Sequence, residues 1–494
     1  MTPNEVDYSD IQGLVRFGFG AMKEARYALL RVKDLPAARA WLRSAPITTA
    51  ATMDPPPPTA LQVAFTAAGL KALEVSPAAV AGFSPEYLAG MTEENRSRRL
   101  GDIGQSAPEE WEWGYGSDAM PHLIVMFFAE PGQLAPLLKN SKNSIWEEAF
   151  TEIRWLETEN LDGIEPFGFA DGISQPQIDW EQRRDPTRAE VDYSNLCSLG
   201  EFLLGYPNEY NKFTERPLLE PDEQSADLLG AVEAPEKKDL GRNGTYFVLR
   251  DLQQDVRAFW QFLNQQSEGD FATAEKLGAS FVGRTRAGDP LARVQKSSIP
   301  GITPEEKQNQ FTFEKDPGGS GCPFGAHIRR ANPRNTDFPG RPAGFFARLV
   351  TRLGFGPRGF RDDLMSSVRF HRILRRGREY GPELRPEDAV ALAPPNDPER
   401  GLHFICLNAN ISRQFEFLQN AWIVNTKFSG LTNESDPLLG TRAPLVGCPA
   451  TAHFTIEAEN HLRRRLSGLP QFVTVRGGAY FFLPSLRALR YFTA

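Results

Sequence analysis

Residues 322–334, CPFGAHIRRANPR, gather side chains that could do chemistry together. His327, one of six histidines in 494 residues, lies between Ala326 and Ile328 and is followed by Arg329, Arg330, Asn332 and Arg334. An imidazole with apolar neighbours on one side and cations on the other suits a ring nitrogen meeting a metal while the cations hold anionic groups. A haem presents both needs: an iron open to an axial imidazole, and two propionates that pair with Arg or Asn. The same residues also suit a structural histidine beside a solvated basic turn, and short motifs often match by accident.

Two other stretches carry candidate groups. In residues 167–176, FGFADGISQP, one carboxylate, Asp171, sits between glycines in an apolar turn. Glycines let backbone approach a planar ligand, and apolar neighbours raise a carboxyl pKa toward the range useful for proton transfer. An Asx-turn or helix cap is the alternative. In residues 371–377, HRILRRG, the pair Ile373-Leu374 suggests a strand running into a site with Arg375 at its mouth. Such an arginine stays charged and stabilises an oxygen gaining negative charge. A surface basic cluster is the alternative. No GxSxG, GxxxxGK[ST] or HExxH is present, so hydrolase and nucleotide-binding readings lack their usual supports. The four cysteines, Cys197, Cys322, Cys406 and Cys448, form no CxxC, which excludes a zinc ribbon and the thioether attachment of a c-type haem.

These groups need a scaffold, and 494 residues exceed one ordinary core, so two or more domains are expected. The net charge of −8 argues against nucleic-acid binding, which rests on neutralising phosphates. The sequence shows no charged n-region followed by an apolar run and no 18-residue apolar stretch. The expectation is therefore no signal peptide, no membrane span and a cytoplasmic chain with reduced thiols.

Residues 1–10 read as a loose tail. Strands are predicted over residues 27–32, 61–65 and 122–128, with helices over 37–42, 67–73 and 131–138. The pattern recurs with strands over 244–250 and 402–407 and helices over 255–263 and 411–420. Tyr27, Leu30, Arg31 and Trp41 match Tyr246, Leu249, Arg250 and Trp260 at one constant offset. Two α+β halves, each an antiparallel sheet with helices on one face, are the economical architecture. The first domain is expected over 11–230 and the second over 240–494. Residues 180–240 read as a long surface excursion, and 337–370 as a similar insertion with an amphipathic stretch at 345–353.

FGFADGISQP, CPFGAHIRRANPR, ILRRGREYGP, LHFICLNANISRQFEFLQNAW and FVTVRGGAYFFLPSLRALR, preceded by DIQGLV, follow one another along the chain. Together they resemble the dye-decolorizing peroxidases over nearly its whole length. The insertions are similar to those of the large intracellular, bacterial-type branch. The resemblance implies two ferredoxin-like domains and one non-covalent haem b per chain, held mainly by the second domain. It also implies oxidation of dyes, phenols and other one-electron donors by hydrogen peroxide through a ferryl state, with no nucleic-acid or membrane partner. By the same resemblance Asp171 is the distal acid–base group and His327 the proximal iron ligand. Arg375 is the distal arginine, with Arg376 as second choice. Asn332, Arg334 and Arg329 fall on the cofactor, Leu402 and Phe404 line the distal pocket, and Asp436 accepts the other ring N–H of His327. Tyr380 and Trp422 are candidates for an electron relay to bulky donors. The rival reading is a haem-binding or iron-releasing protein without turnover, which has no need for an acid–base Asp and a distal Arg together.

Overall fold

Alternating burial builds the first strand, β1 (Glu24–Val32): Ala28 and Leu30 pack on one side, Tyr27 and Leu29 on the other. These elements come from a computed structural model that describes residues 5–183, 195–292, 308–309, 311–334, 367–444, 451–458 and 462–494. The predicted amphipathic stretch at 345–353 and Cys448 lie outside the described residues. Asp34 caps α1 (Leu35–Ser44) by accepting from Ala37 N, with a proline in the first turn. The first half continues through β2 (Thr59–Phe65), β3 (Leu123–Ala129), α2 (Leu134–Ser141), α3 (Ser144–Ala149) and β4 (Phe150–Glu157). Its strands pair antiparallel in the order β2-β3-β1-β4.

The second half repeats this order. It comprises β5 (Thr245–Gln254), α4 (Val256–Gln266), α5 (Phe271–Val282), α6 (His327–Ala331), β6 (Leu374–Arg375), β7 (Arg378–Tyr380), β8 (Gly401–Asn408), β9 (Val473–Leu483) and α7 (Leu486–Thr493). The strand order β6-β8-β5-β9 places the strands carrying Tyr27 and Tyr246 at the same topological position, as the constant sequence offset implies. Each half is ferredoxin-like. They join edge to edge at Phe482↔Phe65, giving one sheet of nine strands. Helix α7 covers the join, with the Phe492 ring 5.9 Å from Phe65 and 6.5 Å from Phe482. Arg487 then reaches the start of the chain, 2.8 Å from Asp7 and 3.1 Å from Asp10.

Helices cover one face of the sheet, as expected. The other is covered by residues 11–19 and 197–206, which bury Ile11, Leu14, Leu199, Phe202 and Leu203. That corrects the reading of residues 180–240 as surface, for the described part from 195 onward. Their acidic groups are buried as pairs: Glu201 lies 2.8 Å from Arg413 and Glu209 lies 2.6 Å from Arg369. Residues 184–194 lie outside the described residues. The helix predicted over 411–420 is also corrected. It forms π-type turns, Ser412–Glu416 and Leu418–Val424, with Glu416 N donating to Ile411 O at 2.9 Å, an i→i−5 bond.

Candidate active site

A cavity of about 260 Å³ lies between the helical face of the second half and two loops of the first. Leu252, Leu402 and Phe404 supply the sheet wall, and Leu418, Trp422 and Ile423 of the π-type turns face the same space. Residues 100–102 and 165–176 close it from the first half.

His327 opens α6 and lines the cavity. The short helix is held from behind by Arg330, which donates to Trp422 O at 2.8 Å and Asn425 O at 3.0 Å. His327 Nδ1 lies 2.9 Å from Asp436 Oδ2, and Asp436 is fully buried. Asp436 Oδ1 accepts from the N–H groups of Leu438 and Leu439, both at 2.9 Å. Burial alone would raise the Asp436 carboxyl, yet His327, the Leu439 N–H and Arg330 together hold it below its ordinary value. With Asp436 ionised, the Nδ1–H donates to it, and Nε2 has no hydrogen-bond partner among the described residues. Burial disfavours the charged ring, but Asp436 outweighs it and raises the His327 pKa.

Asp171 and Arg375 meet at 2.9 Å on the cavity wall, with side chains 30% and 29% exposed. β6 pairs with β8 through Arg375↔Cys406, which fixes the arginine along the wall. Gln175 clamps it further, accepting from Arg375 N at 3.1 Å and donating to Arg375 O at 3.3 Å. Burial pushes Asp171 up, but the Arg375 charge, the Gly172 N–H and His327 outweigh it and leave the carboxyl below its ordinary value. Both groups act electrostatically on His327, Arg375 lowering and Asp171 raising its pKa. The three therefore share one small volume.

The other expected positions divide. Asn332 and Arg334 line the cavity; the Arg334 guanidinium lies 3.8 Å over Phe311 and donates to Asn309 O at 2.7 Å. Arg376 turns away, donating to Leu14 O and Val15 O at 2.8 Å each. Arg329 is a correction. It is buried off the cavity, 3.0 Å from Asp316 and donating to Cys322 O at 2.6 Å, because Asp316 claims its charge. Cys322 only packs, its buried thiol pushed up to about 12. His403, between the wall residues Leu402 and Phe404, points to the opposite sheet face and lies 3.2 Å from Asp251. Tyr380 stacks on that imidazole at 4.5 Å, off the cavity, and its hydroxyl donates to Glu399 at 3.2 Å. Trp422 is on the wall, its ring 5.4 Å from those of His371 and Phe417. Sequence reasoning missed Glu165, Ser174 and Gln175 as site residues. The last two lie inside the FGFADGISQP run, but only the fold shows that Gln175 clamps Arg375.

A haem fits these residues. The cavity offers the Nε2 of His327, which has no partner among the described residues, apolar walls for a planar ring, and Asn332 and Arg334 for anionic substituents.

No protein-family model matches the chain. The "Multifunctional dye peroxidase DyP2" of Amycolatopsis sp. is 30% identical over 457 residues, 87% of this chain and 81% of that protein. The "Dye-decolorizing peroxidase msp1" of Mycetinis scorodonius is 29% identical over 452 residues, 88% of this chain and 76% of its own length. Among solved structures, a fungal DyP-type peroxidase from Auricularia auricula-judae superposes with a TM-score of 0.74 at 24% identity, covering 99% of this chain and 100% of that one. A dye-decolorizing peroxidase in complex with 2,6-dimethoxyphenol gives a TM-score of 0.71 at 22% identity, covering 99% of this chain and 100% of its own.

Proposed function

This chain belongs to the dye-decolorizing peroxidase family and is a haem peroxidase, and we propose that the cavity would hold one non-covalent haem b, with His327 binding its iron. The observation that carries the reading is the meeting of a partnerless imidazole nitrogen with the Asp171–Arg375 pair in one cavity. Asn332 and Arg334 would hold the propionates, and Leu402 and Phe404 would keep water from the reacting oxygens.

When bound, the haem supplies an iron that takes up the two oxidising equivalents of hydrogen peroxide and passes them singly to donors. Asp171 takes the proton from one peroxide oxygen and returns it to the other, so that the departing oxygen leaves as water instead of hydroxide. Arg375 keeps Asp171 ionised and offsets negative charge on the departing oxygen. Asp436 fixes the tautomer of His327 and raises its basicity as a ligand.

Hydrogen peroxide and reducing substrates are the partners. Dyes and phenols are the donor class the reading favours, since relatives are named for dyes and one solved relative binds 2,6-dimethoxyphenol. No described helix is long and apolar enough to cross a membrane. The buried thiols Cys322 and Cys406 suit a reducing, cytoplasmic setting.

Donors too bulky for the cavity would need a relay. Trp422, on the wall, and Tyr380, on the sheet's far side, are the two candidates. Trp422→Phe is expected to lower turnover of a bulky dye several-fold while small-phenol turnover holds. Equal losses for both donors would reduce Trp422 to packing.

The reading as a whole is tested by stopped-flow absorbance of the haem-loaded protein. The Soret band is expected to shift promptly on adding hydrogen peroxide. Arg375→Leu should slow that shift by about 10²–10³-fold, the scale of a lost oxyanion-stabilising donor, with the resting spectrum unchanged. A wild-type spectrum that ignores peroxide would sink the peroxidase reading.

A further inference from the structure

The turn that presents Asp171 is built around a second carboxylate. Glu165 Oε2 accepts from Phe167 N at 3.0 Å, and Oε1 accepts from Phe169 N at 3.0 Å. Its backbone closes the same turn, with Glu165 N donating to Phe169 O at 2.9 Å and Gly168 N donating to Glu165 O at 2.7 Å. Gly168 holds a left-handed φ of 92° there, and a Cβ would meet Pro386 Cγ at 2.7 Å, so glycine is required. From the end of β5, Gln254 Nε2 donates to Glu165 Oε2 at 2.9 Å. Glu165 and Gln254 both line the cavity.

Gln254 Oε1 is buried and has no hydrogen-bond partner among the described residues. Glu165 is the amide's one side-chain partner among the described residues, so no second bond fixes which end of the amide faces the acid. A protonated Glu165 would give its O–H to that oxygen once the Gln254 amide turned over, so the pair suits both states of the acid. The charged groups around it are few. Asp171 shares the turn and is paired with Arg375, and Glu379 faces Asp171. Arg286 donates to Gly168 O from outside, and is itself held by Glu387 at 3.0 Å and Glu275 at 3.6 Å. Burial pushes Glu165 up to about 7 against its three donors, and the Asp171 charge adds to the push.

We propose that Glu165 is a positioning residue for the peroxide reaction: its carboxylate gathers the turn that carries Asp171, and a proton taken up there, passed in hydrogen bond to a turned-over Gln254, loosens that turn. The inference rests on the peroxidase reading above. The step moves one proton from water to a carboxylate oxygen and transfers no electrons. Charge-assisted bonds are about twice as strong as neutral ones, so the protonated state holds the Phe167 and Phe169 amides more weakly.

Two measurements on the haem-loaded protein test this. Amide hydrogen exchange at Phe167 and Phe169, corrected for intrinsic pH dependence, should speed up roughly tenfold as pH falls through about 7 in the wild type, the equivalent of a bond weakened by about 1.4 kcal/mol. It should show no such step in Glu165→Gln. The rate of the peroxide-induced Soret shift should rise through the same pH in the wild type and lose that step in the variant. Steps that persist in Glu165→Gln overturn the proposal, as does flat exchange in the wild type, which decides the matter even if the variant does not accumulate. A wild-type Soret band that never responds to peroxide instead removes the peroxidase reading and leaves the exchange result standing by itself.

Discussion

Replacing Asp171 with asparagine slows the reaction with hydrogen peroxide by about 10²–10⁴-fold, the span of a lost general base, and leaves the resting haem spectrum in place. The amide keeps the shape of the side chain and a hydrogen bond near Arg375, so the loss isolates proton transfer from packing. Stopped-flow mixing reads it directly, and a wild-type rate in Asp171→Asn would remove the carboxylate from the reaction. The pH dependence follows from the depressed pKa. Asp171 is a competent base wherever it is ionised, which extends below the ordinary carboxylate value because Arg375 overcomes the effect of burial. Below the step near 7 assigned to Glu165, the remaining activity is therefore retained on acidification until pH falls through that lowered pKa, where protonation of Asp171 ends it. Arg375→Leu removes the main opposing charge and leaves only the Gly172 N–H and His327 against burial, so the acid limb moves to higher pH.

His327→Ala produces the other large effect, this time on the cofactor. Removing the imidazole proposed to bind the iron is expected to change the resting Soret spectrum and to weaken haem retention by more than the ~10–100-fold that loss of an outer partner alone costs. Titration of the apoprotein with haemin, followed by gel filtration to count retained haem, measures the loss. Free imidazole added to the variant is expected to restore a wild-type-like spectrum, because the Ala leaves the ligand's place lined by the same side chains. If His327→Ala retained haem with an unchanged spectrum, another residue would be the ligand. Among the described residues the alternatives are few: His371, which lines the cavity, donates its Nδ1–H to Arg413 O, and His403 is on the opposite sheet face.

Asp171, His327 and Arg375 were readable as candidates because each sits in a contiguous run whose order of residue types is unusual. Their assembly was not, since it depends on pairings across the fold. Arg375 and Arg376 are indistinguishable as neighbours; strand alternation sends one to Asp171 and leaves the other to the carbonyls of Leu14 and Val15. Arg329 looked as suitable for a propionate as Arg334 until Asp316 was seen to claim it. Residues 199–209 read as surface because Glu201 and Glu209 are charged, and the arginines that neutralise them lie 212 and 160 residues away. The two α+β halves were legible from the recurrence of strand and helix, and their ferredoxin-like form only from the family resemblance. Their fusion into one sheet was not, because the Phe65–Phe482 pairing leaves no local mark. The π-type turns gave no sign either, since apolar spacing over a dozen residues fits both helix types.

The join at Phe65 and Phe482 and the clasp of Arg487 on Asp7 and Asp10 together make the chain a closed ring. Two halves tied at both ends of the path cannot swing apart about a single hinge, as clamshell proteins do around their ligands. A prosthetic group would then enter by local displacement of segments that line the cavity, such as residues 100–102, and not by a parting of the two halves.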